Sequence, residues 1–305
     1  MRGSRDLSGG QITLKYRLIA IDLDGTVLDG DGFIFPGAKE AIRDVLARGI
    51  TVTLATGRMY QPSNRFAEEL NVSAPLICYQ GALIRQSGNG DVWWHKPLPL
   101  PVARKVIAGI RRLGVHQYAY VNGAIYVEQV RDEDRRYARR NGVELHLVDD
   151  LTTLHHGRPT EIAARGQPED IDRVVALVRD CCGSEVIVNK IHNSFCEIAD
   201  AESGKGNALE HLATRLAIPR SQVVAIGDSP NDISMLRWAG LSIVVGDGPA
   251  EVRAAADWVI GDGAQDSFCE AIARLLDGST PAGDTTPGSL CGEPRPGLRR
   301  SVEPP

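Results

Sequence analysis

The chain has 305 residues, a formal net charge of −5, 43% hydrophobic, 24% charged and 5% aromatic residues. At ~150 residues per domain this is material for two domains, each able to bury a core, which excludes a small stapled scaffold. An acidic chain poor in aromatics also lacks the basic face and stacking platforms of a nucleic-acid binder.

In chain order, residues 1–16 carry net +2, have no apolar signal-peptide core and are expected to be a disordered N-terminal segment. Residues 278–305 are expected to be a disordered tail, holding 11 Gly or Pro among 28 residues against 49 in the whole chain. They are electrically neutral, which leaves −7 on residues 17–277, so an anionic substrate would need a cation or a cluster of donors to approach.

The body opens on Arg17–Ile21, a short apolar run ending at Asp22, which predicts a strand buried on both faces. Pro36 starts a helical pattern through Ala41, Ile42, Val45 and Leu46, with Gly49 as its stop. Ile50–Ala55 is again apolar and β-branched, Met59–Leu70 reads as a helix and Pro75–Tyr79 as a third buried strand. This strand and helix order predicts a doubly wound parallel α/β sheet.

From Leu83 the texture changes to shorter, alternating strands: Val92–His95, Tyr118–Val121, Ala124–Val127, Glu161–Ala164, Glu185–Asn189 and Phe195–Ile198. Helices are predicted at Pro101–Leu113 and Pro168–Cys181. Alternation implies one solvated face, and residues 83–200 are read as an inserted α+β domain. After it the first texture resumes, with helices at Lys205–Leu216, Asn231–Trp238, Ala250–Ala256 and Ser267–Leu276 between strands at Gln222–Ile226, Leu241–Val245 and Trp258–Ile260. Residues 17–82 and 201–277 thus form one core interrupted by the insert.

Four stretches carry chemistry, each beside a predicted strand end, where open α/β sheets bind ligands. Asp22-Leu23-Asp24-Gly25-Thr26 sets two carboxylates two residues apart; a calcium loop starting at Asp22 is excluded because Thr26, Val27 and Phe33 fail its pattern. Thr56-Gly57-Arg58 could meet a phosphate oxygen with a hydroxyl and backbone N–H groups, or be an ordinary cap and turn. Ser203-Gly204-Lys205-Gly206 puts a lysine at a helix start, where the helix dipole disfavours cations. That lysine either meets an anion or is simply solvated; Ala199 and Gly206 exclude a phosphate-binding P-loop. Gly227-Asp228-Ser229-Pro230-Asn231-Asp232 offers two further carboxylates that could complete an oxygen-rich Mg2+ site, or cap a helix.

In this order, D-x-D-G-T, T-G-R, an isolated Lys and G-D-x-x-N-D resemble the haloacid dehalogenase superfamily of phosphohydrolases, and the large insert resembles its Cof-type members with a subclass IIB cap. The resemblance covers roughly residues 17–277. It implies a Mg2+-dependent phosphatase for a small phosphorylated metabolite, a sugar phosphate by default. Asp22 would be the nucleophile that forms an aspartyl-phosphate, and Asp24 the general acid/base. Thr56, Gly57, Lys205 and Asn231 would bind phosphate; Asp22, Asp24 and Asp228 would hold the metal, with Asp232 in or just behind its shell. Gln80-Gly81-Ala82 and Gly246-Asp247-Gly248 depart from the family's usual Asn-Gly-Ala and Gly-Asn-Ala, on the substrate side. A phosphomutase and a noncatalytic phosphometabolite-binding protein are the alternatives.

The six cysteines lack C-x-x-C or zinc spacing and read as free thiols, mostly buried. No run approaches the ~18 apolar residues of a membrane helix, so a cytoplasmic enzyme with neither nucleic acid nor membrane as partner is expected, a homodimer being left open. His155-His156 reads as a surface pair, Trp93-Trp94 as half core and half domain contact, and the arginines at 111–112, 135–136 and 139–140 as solvated helix faces.

Overall fold

The computed structural model describes residues 15–153, 155–261 and 264–278. The expected disordered segments 1–16 and 278–305 lie outside these apart from Lys15, Tyr16 and Gly278. In chain order the elements begin β1 (Leu18–Ile21), α1 (Pro36–Ala47), β2 (Thr51–Leu54), α2 (Tyr60–Glu69), β3 (Leu76–Cys78), β4 (Leu83–Arg85) and β5 (Val92–His95). They continue through α3 (Leu100–Arg112), β6 (His116–Val121), β7 (Ala124–Val127), α4 (Asp132–Asn141), β8 (Leu145–Leu147), β9 (Glu161–Arg165), α5 (Pro168–Cys182), β10 (Val186–His192) and β11 (Phe195–Asp200). The last are α6 (Lys205–Arg215), β12 (Val223–Gly227), α7 (Ile233–Trp238), β13 (Leu241–Val245), α8 (Ala250–Arg253), β14 (Trp258–Ile260) and α9 (Ala264–Leu276).

The first sheet runs β14-β13-β12-β1-β2, every pair parallel. Its apolar runs are continuous because both faces are covered. Ile19 and Ile21 face the layer that holds α1 and α9, whereas Leu18 and Ala20 face α6 and α7. On α1, Pro36 presets the first turn and Ala38, Ile42 and Val45 form the buried stripe. The chain leaves β1 toward β2 on one side and leaves β12 toward β13 on the other, so the switch in strand order lies between β1 and β12. The carboxyl ends of β1, β2 and β12 meet there, with Ile21 in register with Leu54 and Ile226.

The second sheet, ordered β10-β11-β9-β6-β7-β8, is antiparallel except for β7–β8. α3 and α5 cover one face, taking Ala119, Val121, Ile162, Ala164, Cys196 and Ile198. The alternate residues Tyr118, Tyr120, Ala163 and Phe195 pack toward the first sheet's layer. Asn122 and Gly123, both at positive φ, make the tight β6–β7 turn.

Two sequence expectations change. The hairpin Leu83–His95, expected inside the insert, pairs with β3 as a three-stranded antiparallel sheet. β3 itself lies beside the end of β2, joined through a parallel Ala55–Ile77 bridge. Alternation reported the antiparallel ladder correctly but carried no information on which sheet it joins. Trp93 and Trp94 accordingly pack on α6 of that same layer, with Arg215 4.4 Å over Trp93 and His211 stacked on Trp94 at 4.9 Å. The second change is at α4, whose arginines are not all simply solvated, since Arg140 donates to the Asp31 carbonyl at 3.1 Å across the two layers. His155 and His156 are exposed as expected, and the cysteines among the described residues are free. Cys291 lies outside the described residues. Among the described residues no helix is long and apolar enough to cross a membrane.

Candidate active site

After β1 the chain turns tightly. Asp22 donates its N–H to the Ile226 carbonyl at 2.9 Å, and the Leu23 carbonyl accepts from Val27 and Leu28 at 3.0 and 2.8 Å. Gly25 sits at φ +82° with its α-carbon against the Asp228 carboxylate, where a β-carbon would collide. The turn brings Thr26 Oγ1 to donate to Asp228 Oδ1 at 3.0 Å, tying the first carboxylate pair to the second.

Lys205 is buried at the first turn of α6, and its Nζ donates to Asp22 Oδ1 at 2.5 Å and to Asp232 Oδ1 at 2.6 Å. The cation disfavoured by the helix dipole is held by two carboxylates. Asp232 also accepts, through Oδ2, the N–H groups of Asp228 and Ser229 at 3.1 and 3.0 Å. It therefore caps the turn into α7 while it holds Lys205, so both sequence readings of that stretch apply to one side chain.

One ammonium faces three acids here. Burial and the Asp232 charge push Asp22 well above the usual carboxylate range, against the opposing pull of Lys205. Burial and Asp232 push Asp228 up to about 6. Burial disfavours the charge on Lys205, but the Asp22 and Asp232 carboxylates outweigh it and raise the pKa. Oxygens of Asp22, Asp228 and Asp232 lie within 4.8 Å of one another. A hard divalent cation suits this all-oxygen donor set and would relieve the crowding of negative charge.

The remaining expected residues divide. Asp24 points into the cavity above, 54% exposed at its side chain, and both its oxygens are taken by Arg58, one through Nε at 2.8 Å. Thr56 is buried, donates its N–H to Ile77 at 2.9 Å and accepts from Arg58 N–H at 3.2 Å. Gly57 lines the cavity directly under the Gln80 carboxamide. It precedes α2 by three residues, and the helix expected at Met59–Leu70 is observed at Tyr60–Glu69. Asn231 also lines the cavity, but its amide donates to Gln80 Oε1 at 2.9 Å and its own oxygen accepts from Ser229 Oγ.

Several lining residues have no motif to mark them. Gln80 holds left-handed backbone at φ +52°, a strained conformation for a non-glycine, and its Nε2 donates to Glu197 Oε2 at 3.0 Å. Glu161 and Glu197 project from β9 and β11 on the face away from α3 and α5. The signal available in the sequence was alternation, since Ile162, Ala164, Cys196 and Ile198 fill the helix-facing positions. The cavity between the layers is about 890 Å3 and runs from Asp22 to Glu161 and Phe195.

The sequence model of the family described as haloacid dehalogenase-like hydrolase matches residues 19–272. The chain is 26% identical over 268 residues to the 5-amino-6-(5-phospho-D-ribitylamino)uracil phosphatase YitU of Bacillus subtilis, covering 86% of this chain and 97% of that protein. Its fold is similar to that of a haloacid dehalogenase-like hydrolase from Bacteroides thetaiotaomicron, with a TM-score of 0.77, 24% identity and coverage of 86% and 100% of the two chains. It is also similar to that of the subclass IIB sugar phosphatase BT4131, with a TM-score of 0.72, 18% identity and coverage of 85% and 99%.

Proposed function

Because the chain belongs to the haloacid dehalogenase-like hydrolases, we propose that it is a Mg2+-dependent phosphatase for a small phosphorylated metabolite, with Asp22 as the nucleophile. The observation that carries the reading is Lys205, wholly buried and bonded to Asp22 at 2.5 Å and to Asp232 at 2.6 Å, at the switch point of the sheet. A buried cation is costly unless paired, and this pairing fixes a positive charge directly beside the Asp22 carboxylate, where phosphoryl oxygens would gather.

In this reading Asp22 attacks phosphorus, the P–O bond to the leaving group breaks, and the phosphoryl group rests on Asp22 as an aspartyl-phosphate. Asp24 gives a proton to the leaving oxygen and then takes one from the water that hydrolyses the intermediate. To reach that oxygen, Asp24 gives up at least one of its two bonds to Arg58. Lys205 and Thr56 bear on the phosphoryl oxygens. The Asp22 and Asp228 carboxylates and the Asp24 carbonyl would hold Mg2+, with Asp232 behind them. Bound there, Mg2+ supplies the positive charge that lets a phosphate dianion approach an acidic protein. The reading keeps a cytoplasmic setting and neither nucleic acid nor membrane as partner.

The test is release of inorganic phosphate from a panel of phosphorylated metabolites and from p-nitrophenyl phosphate, with Mg2+ and with EDTA. Turnover that needs Mg2+ and yields free phosphate is expected, whereas a phosphomutase would return the group to a second sugar. Full turnover in chelated buffer, or no phosphate from any ester, would overturn the reading.

A further inference from the structure

The roof of the cavity carries two acids that the hydrolytic steps leave unused. Glu161 and Glu197 lie on the adjacent antiparallel strands β9 and β11, in the row of side chains turned away from α3 and α5. Glu197 has one fixed donor, Gln80 Nε2 at 3.0 Å. Glu161 is 1% exposed, and its Oε1 is buried with no hydrogen-bond partner. An unpaired buried oxygen of this kind costs free energy, so it calls for a partner that folding alone does not supply.

Among the described lining residues, the arginines and the lysine already have partners. Arg165 is matched by Glu133 at 3.6 Å, Lys190 by Asp172 at 2.5 Å, and Arg58 by Asp24. Beside the two acids the roof presents the rings of Tyr118, Tyr120 and Phe195. Acceptor oxygens among aromatic rings suit a group rich in donors and positively charged. A hydroxyl has one donor and also wants donors for its lone pairs, while an ammonium has three donors and accepts nothing. Aromatic faces further favour a cation.

We propose that Glu161 and Glu197 form a subsite for a protonated amino group on the leaving group, so that the substrate is an amino-bearing phosphate monoester. The proposal rests on the phosphatase reading above, and it gives the cavity opposite charge preferences at its two ends. Lys205 meets the phosphate at the floor, and the two glutamates meet the amine at the roof.

The test compares matched esters that differ in one group: glucosamine 6-phosphate with glucose 6-phosphate, O-phosphoethanolamine with 2-hydroxyethyl phosphate, and pyridoxamine 5′-phosphate with pyridoxine 5′-phosphate. In at least one pair the amine is expected to have the higher kcat/KM by about 10- to 100-fold, the worth of a charge-assisted hydrogen bond. Glu161→Gln and, separately, Glu197→Gln should shrink that ratio by about tenfold, chiefly through KM. Two separate variants guard against one that does not fold. Phosphate release without amine preference in any pair overturns the subsite and leaves the phosphatase standing. Should no ester, p-nitrophenyl phosphate included, release phosphate, the phosphatase reading fails instead. The subsite is then judged by the shift in Tm of the wild-type protein with each ester, where equal shifts within every pair overturn it.

Discussion

Asp22 and Asp24 stand two residues apart in opposite surroundings. Asp22 is buried against Lys205, and Asp24 reaches into the cavity under Arg58. Asp22→Asn is expected to give neither phosphoenzyme nor product. On the proposed mechanism Asp24→Asn keeps the nucleophile, so an activated ester should still phosphorylate Asp22 while hydrolysis slows by ~10²–10⁴-fold. Intact-mass measurement reads the adduct, and one phosphoryl group on the Asp22→Asn protein would show that the nucleophile is another residue. Glu197 gives a second prediction. Burial pushes it from 4.5 up to about 7, against the pull of Gln80 and Lys205, with Asp24 adding to the rise and the Glu161 carboxyl also facing it. The folded state then binds a proton more tightly than the unfolded chain, so stability falls as pH rises from about 4.5 through about 7. Glu197→Gln never ionises and should flatten that fall, matching the wild type at low pH and exceeding it by up to ~3 kcal/mol above neutrality. Thermal melts across the pH range decide it, and a variant less stable than wild type in alkaline buffer contradicts it.

At the scale of elements, the position of Lys205 depends on how closely α6 approaches α7. A β-carbon on Gly206 would lie 2.5 Å from the Ser234 carbonyl, and that contact is backbone that cannot swing aside. Gly206→Ala should therefore push the two helices apart, lower stability by about 1–3 kcal/mol and reduce kcat by displacing the neighbouring ammonium. A variant with wild-type Tm and kcat would mean that the helices adjust without moving Lys205. The elements around this packing were legible in the sequence. β1, β2 and β12 announce themselves as apolar runs ending in polar loops, and those loops hold Asp22, Thr56 and Asp228. Less legible was α4, whose sequence from Asp132 to Asn141 is almost wholly polar, and β8 beyond it. Glu161 and Glu197 are not legible as site residues, because single glutamates in short strands look like the solvated side of an alternating pattern. Only the pairing of β9 with β11, and the other layer lying over that face, turns them inward. Gln80 departs from the family's usual residue, but its bonds to Asn231 and Glu197 come from a left-handed backbone that no spacing rule encodes.

For the whole molecule, the question is what holds the six-stranded layer over the site. Besides the apolar packing of Tyr118, Tyr120 and Phe195 on the lower layer, a small set of polar contacts ties its rim. From one face of α2, Gln61 Nε2 donates to the Gly123 carbonyl at 2.6 Å and Arg65 donates to the Arg140 carbonyl at 2.8 Å. Gln61 and Arg65 are four residues apart, one helical turn, and so act as a pair of latches. They reach two separate parts of the upper layer, the β6–β7 turn and the end of α4. Hydrogen bonds of this kind each contribute about 0.5–1.5 kcal/mol net. Two together are a bias that a substrate binding both layers can exceed, which is what a layer that opens and closes requires. Removing both with Gln61→Ala and Arg65→Ala should shift the balance toward the open arrangement by about 1–3 kcal/mol, or roughly 5- to 150-fold. Neither side chain supplies a group to the reacting phosphate. The double variant is thus expected to raise KM for small esters several-fold while kcat holds or increases, as opening to release product becomes easier. Small-angle X-ray scattering of the ligand-free protein should show a larger radius of gyration for the variant, shrinking toward the wild-type value when inorganic phosphate and Mg2+ are added. If both the radius and KM stay at wild-type values, the two latches do not govern closure, and the layers are held by the apolar contacts that Tyr118 and Tyr120 make beneath the sheet.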